Sequence, residues 1–478
     1  MKSTIRFILV ACVIALMSAN FRSSQAASKL PAVIKMPAQI AGGRAVTFTI
    51  TNMPQKTATV VRKEWEDRVA RFQKMYPNVT VQGDEYTYDP QTFPAKVAAK
   101  QVPTMFSVYL TDPTKYISSG LAADLTDIID ANKLRDVWNS DLVNLVTSNN
   151  KVYGIPWNAY AMGLGYNIKL LKAAGFEKPP ATWDELRTMA KKLTNRDAGV
   201  VGFSMINDAG TATGWHLTTL SYTFGAKPGD LIKAGADGKF TAGFGQGGIV
   251  DALKLIHDLR WTDDVLPHDT TGWPDNGNNL ATGKAAMVLM AGDQYPWIKQ
   301  TYRETDMTNL GFAPIPAGAG GSVSLIGGDT YLINSAATAD QKEAAAYWEL
   351  WRLFDPTEIE SDLTAQKAED NAAVGGPLLP QFKGDYQTAR LAFAQTFYTL
   401  LPVSNYSGYL DAISTGKTKL QVEPSPKAQE YYQAVADVVS SVLTDQSADP
   451  AAGLKAAADT FQTTQLDRIG LPATPAAK

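Results

Sequence analysis

The sequence predicts an α/β protein with two lobes, each built on a doubly wound sheet. The first observation is the order of elements, with a strand at 45–50, an amphipathic helix at 61–75 and an alternating strand at 78–88. That order opens a doubly wound layer. The second is that helix and strand alternate again at 180–195 and 200–205. The third is the length of 478 residues, which exceeds one ordinary domain.

The predicted helices rest on their apolar spacing and on their end signals. The helix at 61–75 carries apolar residues at three- and four-residue steps and ends before Pro77. A second helix begins with Thr182 and Glu185 in capping-box spacing. The segment 428–443 also has an apolar helical face. These helices supply the layers that cover the predicted sheets.

The amino terminus has the pattern of an export signal. Residues 1–26 combine a basic start, an apolar run and small residues before the cleavage point, and they are too short to span a membrane. Cys12 is the only cysteine and also fits a lipoprotein cleavage box, although the apolar run continues past it. We therefore expect an exported protein, in the periplasm or at the outer face of the cell membrane, with a lipid anchor at Cys12 as the less favoured alternative. Residues 27–44, with two prolines and a Gly pair, are predicted to form a tether.

Charge and motifs exclude several function classes. The formal net charge of -3 gives no basic surface for nucleic acid. The three histidines, His216, His257 and His268, lack zinc-ligand spacing, and each is expected to pack as a polar residue. Neither a serine-hydrolase elbow nor a complete phosphate-binding loop occurs in the sequence. We predict a binding protein rather than an enzyme, with no cofactor or metal.

Aromatic residues recur beside small polar residues in stretches that look like loops. Sugars need this combination, because their C–H faces stack on flat rings while Asp, Asn and Gln bind their hydroxyls. The segment 154–167, GIPWNAYAMGLGYN, is one of these stretches. It lacks the run of Val, Ile and Leu that a buried strand would have, and its Gly and Pro argue against a helix. The sequence therefore favours a carbohydrate ligand.

Three motif runs give the chain a family resemblance. In chain order, the runs are KVYGIPWNAY with the following YNIKLL and PATWDEL, then LATGKAAMVLMAGDQ, then LGFAPIPAGAGGSVSLIGGDTYLIN. The resemblance spans roughly residues 45 to 470. In this combination the chain resembles the extracellular solute-binding proteins of ABC importers, in the carbohydrate-binding family that includes maltose-binding protein. Tyr160 stands where that protein has a glutamate, and Asp293 where it has a stacking tryptophan, so the ligand need not be maltose.

The resemblance implies a two-lobed, periplasmic-binding-protein-like type II fold whose sheets are joined by a hinge. The expected first lobe comprises 45–158 plus 328–385, and the second comprises 159–327 plus 386–478. The ligand would bind between the lobes, drive hinge closure and pass to the membrane permease of the importer. A monomer is expected.

The candidate ligand-binding residues are aromatic and acidic side chains from these motifs. Tyr160 and Trp273 are expected to stack on the ligand. Asp293 and Asp329 are expected to lie on loops of the second and first lobes and to accept hydrogen bonds from the ligand. The full set is Tyr160, Asp293, Asp329, Trp273, Trp157, Tyr109, Asp112 and Tyr406. For Trp157 a packing role beneath the hinge is the alternative.

The chemistry of the ligand stays open at this point. Lysine and arginine are scarce in the aromatic stretches, which favours a neutral sugar over a phosphate or carboxylate. Aromatics with aspartates also form cages for cations, so a polyol or a cationic small molecule is the second possibility. A secreted glycoside hydrolase with Asp293 and Asp329 as acid and base is the third.

Overall fold

The computed structural model describes residues 30–368, 375–397 and 401–469. The predicted signal peptide, with Cys12, lies outside these residues. The described part of the predicted tether packs on the protein: Ile40 is fully buried, and the Tyr76 hydroxyl donates a hydrogen bond to the Pro37 carbonyl over 2.7 Å. Within the described ranges, no helix is long and apolar enough to cross a bilayer.

The described residues contain strands of very different lengths. In chain order they are β1 Val46–Ile50, β2 Val79–Gly83, β3 Met105–Tyr109, β4 Thr147–Ser148, β5 Lys151–Val152, β6 Gly154–Asn167, β7 Val201–Ser204, β8 Ile232–Ala234, β9 Phe240–Ala242, β10 Ala285–Ala291, β11 Leu310–Ala313, β12 Ser322–Ile333 and β13 Thr418–Gln421.

Helices surround these strands, so the chain is the α/β protein that the sequence predicts. They are α1 Thr59–Met75, α2 Phe93–Ala98, α3 Pro113–Ser118, α4 Thr126–Ala131, α5 Ser140–Leu145, α6 Ile168–Ala173, α7 Trp183–Leu193, α8 Thr211–Thr223, α9 Pro228–Leu231, α10 Gly248–Trp261, α11 Trp273–Ala281, α12 Gln294–Thr301, α13 Ala339–Phe354, α14 Pro356–Ala368, α15 Gly384–Gln395, α16 Ser407–Ser414, α17 Ala428–Thr444 and α18 Pro450–Phe461.

The main sheet has the two longest strands at its centre. Its order is β2-β1-β3-β12-β6-β10-β7, with β11 also paired to β6 and β13 to β12. Strand β1 runs parallel to β2 and β3, whereas β12 runs antiparallel to both β3 and β6. Strand β10 is antiparallel to β6 and parallel to β7. Strands β6 and β12 therefore connect a parallel group on one side with a second group on the other.

The aromatic segment 154–167 is a continuous strand, which contradicts the interpretation that its composition excludes one. Its glycines make room for large neighbours instead of carrying side chains of their own. A Cβ atom at Gly163 would lie 2.6 Å from the Phe312 ring, and one at Gly165 would lie 2.3 Å from the Met290 sulfur. The strand is thus central and largely buried, although side chains of adjacent strands fill the space beside its glycines.

Two large hydrophobic clusters lie on either side of the central strands. One contains residues from 40–155 and 331–386, and the other contains residues from 162–325 and 428–466. Strand β6 contributes Ile155 to the first cluster and Met162 to the second. Strand β12 likewise contributes to both clusters, so the chain crosses between them within each of these strands.

Candidate ligand-binding cleft

A cleft of about 230 Å³ opens beside the middle of the two central strands. On one side, Tyr109, Leu110 and Thr111 continue from the carboxyl end of β3. Ligands of doubly wound folds bind at this end of a sheet. The position of the cleft therefore marks it as the candidate binding site.

Two glycines of β12 form the floor of the cleft. Gly327 pairs with Tyr160 of β6, and a Cβ atom there would lie 2.4 Å from the Tyr160 ring. Gly328 has a φ of 143°, and a Cβ atom there would lie 2.2 Å from the Asn158 carbonyl oxygen. The absence of side chains at these two positions lets the Tyr160 ring lie across the strand and face the cleft.

The opposite side of the cleft is built from the first turns of helices. Thr211 begins α8, Trp273 begins α11 and Gln294 begins α12, and all three line the cleft. Gln429 contributes from the first turn of α17. Helix first turns carry backbone N–H groups without partners inside the helix, so this side offers hydrogen-bond donors to a ligand.

Aromatic rings form the walls, and neighbouring side chains hold them in place. Tyr160 meets Trp215 edge to face, with ring centroids 6.3 Å apart and planes at 86°. Trp273 packs against Trp297 at 4.4 Å, and its carbonyl accepts a hydrogen bond of 2.6 Å from the Gln294 side chain. Fixed aromatic faces of this kind are suited to stacking on an apolar face of a ligand.

The charged groups at the cleft are carboxyls, and their pKa values are raised. Burial raises the pKa of Asp293 to about 7, and the neighbouring Asp329 adds to this effect. Burial also raises the pKa of Asp329 to about 6, although its hydrogen bond of 3.4 Å from the Asn158 amide acts in the opposite direction. Burial places the pKa of Glu423 well above its usual range, with a further contribution from Asp112.

Two carboxylate oxygens at the cleft lack hydrogen-bond partners. The Oδ1 atom of Asp293 and the Oε2 atom of Glu423 are buried and make no hydrogen bond within the described residues, although Tyr432 and Trp215 lie close to the Glu423 carboxyl. Burying such atoms without a partner is costly, and a bound ligand would supply the missing donors. Burial, with the nearby carboxyls, also raises the pKa of Tyr160 far above 10, which keeps its hydroxyl protonated as a donor.

His216 lines the cleft as a neutral side chain. Burial lowers its pKa to about 3, and its Nδ1 atom accepts a hydrogen bond of 3.3 Å from the Ile206 amide. This contact agrees with the polar packing role expected from the sequence. Within the described residues, no group of three or more His, Cys, Asp or Glu side chains is arranged to hold a metal ion.

The cleft brings together five of the eight residues proposed from the sequence. Tyr109, Tyr160, Trp273 and Asp293 line it directly. Asp329 follows the lining residue Gly328 and pairs with Tyr109 across the sheet. It lies on strand β12 and not on the loop that the sequence suggested.

Trp157 does not line the cleft. Its ring stacks on Tyr331 at 5.8 Å, and the Arg352 guanidinium lies 5.6 Å from the ring centroid. The register between β6 and β12 shifts at Trp157, which pairs with no residue of β12, and its side chain packs against the first cluster, as its alternative packing role requires.

Asp112 and Tyr406 also lie away from the cleft lining. Asp112 is 5% exposed and accepts a hydrogen bond of 2.7 Å from the Tyr88 hydroxyl. Tyr406 is 2% exposed and packs edge to face on Tyr295 at 5.9 Å. Both are buried against other aromatic side chains instead of being exposed on a loop, and neither belongs to the cleft lining.

Among the cleft residues that the sequence interpretation did not name, Trp215, Tyr432 and Glu423 carry a large aromatic ring or a carboxyl. Trp215 lies on α8, whose residues are buried nearly all round, so no polar face singles it out. Tyr432 adjoins Tyr431, the residue that the helical pattern places in the core. Glu423 was the detectable one, because it stands alone as an acid in the proline-containing stretch 421–426 after β13.

The fold and the cleft define a class of ligand-binding protein, and the comparisons identify its family. The family described as bacterial extracellular solute-binding protein matches residues 58–350, and the chain belongs to that family. Its members and structural neighbours are binding proteins, not enzymes.

Known proteins of this type resemble the chain over different spans. A putative binding protein of Brucella abortus is 30% identical over 210 residues, which cover 43% of this chain and 46% of that protein. A probable ABC transporter-binding protein of Deinococcus radiodurans is 25% identical over 312 residues, or 65% of this chain and 68% of that protein. The chain thus spans about half the length of the first of these curated relatives.

Solved structures confirm the two-lobed fold. Maltose-bound MalE3 of T. maritima superposes with a TM-score of 0.67 at 21% identity, covering 88% of this chain and all of that one. A solute-binding protein of Thermotoga lettingae bound to α-D-tagatose gives 0.65 at 19% identity, covering 88% and 99%. At such identities the likeness establishes the fold alone.

Proposed function

We propose that this protein is the substrate-binding component of an ABC importer that captures a sugar or oligosaccharide in the cleft. The observation that carries this proposal is the combination of fixed aromatic faces with unpartnered carboxylate oxygens at one site. Tyr160 and Trp273 would stack on the sugar ring, while Asp293 would accept hydroxyl hydrogen bonds. The absence of lysine and arginine from the described cleft lining argues against an anionic ligand.

Capture would proceed by hinge closure between two lobes. The proposed boundaries are 45–158 plus 328–385 for one lobe and 159–327 plus 386–478 for the other. The two large hydrophobic clusters support this division, since their buried residues lie on opposite sides of the boundaries, apart from Tyr386, which joins the first cluster from one position past its boundary, and Ile40 and Ala41 of the tether. The ligand would stabilise the closed state only to the extent that it binds that state more tightly than the open one.

Export and delivery complete the proposal. We place the protein outside the cytoplasm, as a monomer that presents its liganded form to a membrane permease. The extracellular solute-binding family and the signal-like residues 1–26 support this location. Cys12 as a lipid anchor is the less favoured form of the same location.

A thermal-shift panel of sugars, polyols and cations tests the proposal. A ligand present at about 100 times its dissociation constant adds about 2.7 kcal/mol to the free energy of unfolding. We expect at least one sugar to raise the melting temperature of the wild-type protein. Failure of all sugars, with or without a response to cations, would contradict the carbohydrate assignment.

The same sugars, assayed for new reducing ends, test whether the site also hydrolyses them. We expect none to form. Turnover that disappears in Asp293→Asn or Asp329→Asn would overturn the binding-only proposal in favour of a glycoside hydrolase.

A further inference from the structure

The cleft carries acidic groups, and no lysine or arginine stands beside them among the described lining residues. Among the described residues that line it, the ionisable carboxyls are Asp293 and Glu423, and neither lysine nor arginine is present. No described basic side chain contributes to the electrostatic surroundings of Asp293 or Asp329. Elsewhere among the described residues, the buried carboxyls of Asp263, Glu349 and Glu358 each pair with an arginine, as Asp263 does with Arg187 at 2.5 Å.

Asp293 and Asp329 form the most concentrated part of this charge. They approach the same region from two different elements, the start of α12 and strand β12. The negative charge of Asp329 adds to the effect of burial in raising the pKa of Asp293, and both carboxyls are close enough to Tyr160 to raise the pKa of its hydroxyl. The buried Oδ1 atom of Asp293 lacks a hydrogen-bond partner and belongs to the cleft lining.

From this arrangement we propose that the preferred ligand is an aminated sugar, whose protonated amine binds between Asp293 and Asp329. An ammonium group offers three donors and a positive charge, so it satisfies the open oxygen and relieves the repulsion between the two carboxylates. A sugar hydroxyl offers one donor and no charge. The proposal rests on the proposed carbohydrate function and narrows its substrate class.

The surrounding rings suit the same group. Tyr160 lines the cleft beside Asp293, and Tyr109 pairs with Asp329 across the sheet. Aromatic faces attract cations, and this attraction grows when the site excludes water. The first turns of α8, α11 and α12 then supply N–H donors to the remaining hydroxyl oxygens of the sugar.

Matched sugars that differ in one substituent test the inference. Calorimetric titrations at pH 7.0 would compare glucose with glucosamine, and cellobiose with the β-1,4-linked disaccharide of glucosamine and with its N-acetylated form. We expect the amine to bind at least about tenfold more tightly than its hydroxyl and acetamide counterparts. Asp293→Asn should abolish this preference, whereas Asp141→Asn, which removes an exposed carboxylate outside the cleft, should retain it.

The outcomes separate the two proposals. If hydroxyl or acetamide sugars bind as tightly as the amines or more tightly, the amine inference is wrong and the carbohydrate function stands. If no sugar of either kind binds, both are wrong. Circular dichroism of each variant confirms folding, and Asp329→Asn provides a second test, since it should weaken the amine preference in the same way.

Discussion

At the scale of single residues, Tyr160 lies beside both the aromatic and the acidic groups of the cleft. Its ring contacts Trp215, and its hydroxyl lies near the acidic groups. Gly327 leaves room for the ring in this position, because any side chain there would collide with it. Under the proposed function, a tyrosine so placed would offer both a stacking face and a protonated hydroxyl to the ligand.

Tyr160→Ala should weaken sugar binding by about tenfold or more while leaving the unliganded protein folded. The lost stacking contact is worth about 0.5–1.5 kcal/mol beyond its buried area, and about 1.4 kcal/mol corresponds to a tenfold change in affinity. Calorimetric titration measures the effect. The matched control, Tyr347→Ala, removes a partly buried tyrosine of α13 outside the cleft and should leave affinity unchanged. Equal losses in both variants would refute the assignment of Tyr160.

Asp293→Asn should stabilise the unliganded protein at pH 8. Burial raises the pKa of Asp293 from 3.8 to about 7, so the folded protein holds this proton more tightly than the unfolded chain. Stability from this group therefore falls as the pH rises from about 4 to about 7, and the asparagine removes that loss. The gain is on the order of 4 kcal/mol, because each tenfold change in proton affinity is worth about 1.4 kcal/mol.

Urea unfolding of the wild-type protein and of Asp293→Asn at pH 8 and pH 4.5 measures this difference. The midpoint advantage of the variant should shrink at the lower pH, where the wild-type carboxyl is protonated. An advantage that is absent at pH 8, or that grows toward pH 4.5, would show that the carboxyl is not destabilised by burial.

The family motifs pointed to residues that the structure places at the cleft. They did not reveal on which side of a strand a given side chain lies. Tyr160 and Asp293 occupy matched positions and reach the cleft. Trp157 lies in the same segment but faces the other side of β6, which composition alone does not reveal. Trp215 and Glu423 come from α8 and from the segment after β13, and only the fold brings them to the cleft.

At the scale of elements, one stretch that looked like a loop in the sequence is the start of a helix at the cleft. The stretch beginning at Trp273 looked like a loop because of its Pro and Gly residues. It forms the start of α11, where Pro274 needs no helical donor and Asp275 accepts a 3.1 Å hydrogen bond from the Gly272 amide. Proline and glycine near a helix start are thus compatible with the helix, and they place Trp273 at the cleft.

The packing of α8 on α17 positions Trp215 and Tyr432. It depends on Gly214, since a Cβ atom there would lie 2.1 Å from the Tyr432 carbonyl oxygen. Gly214→Ala should therefore separate the helices, lower the free energy of unfolding by about 1–3 kcal/mol and weaken ligand binding.

Thermal unfolding and calorimetric titration of Gly214→Ala measure both effects. The matched control is Gly408→Ala on α16, where a Cβ atom would meet open space. That control should be neutral or gain about 0.5–1 kcal/mol from helix propensity, with unchanged affinity. If the two variants behave alike, close packing at Gly214 does not shape the site.

At the scale of the whole molecule, strands β6 and β12 join the two hydrophobic clusters. The strand-helix-strand order and the length were enough to predict two α/β lobes. The long central pair was not predictable in the same way, because β6 draws much of its bulk from Phe312 and Met290 on neighbouring strands. When side chains of neighbouring strands fill the space beside a strand's glycines, that strand has little hydrophobic pattern in its own sequence.

Ligand binding should make the molecule more compact. If closure about β6 and β12 accompanies capture, small-angle X-ray scattering will show a smaller radius of gyration with a saturating sugar than without it. Tyr160→Ala at the same sugar concentration should show a smaller change, since less of it is liganded. An unchanged radius under verified saturation would contradict hinge closure.

The central claim is that this cleft holds the sugar, and a crystal structure with the sugar that raises the melting temperature most is its most direct test. We predict electron density for the sugar between the carboxyl end of β3 and the start of α11. The ligand should contact Tyr160 and Asp293 and should also lie against Trp273. Density at another site, with these three side chains untouched, would contradict the account.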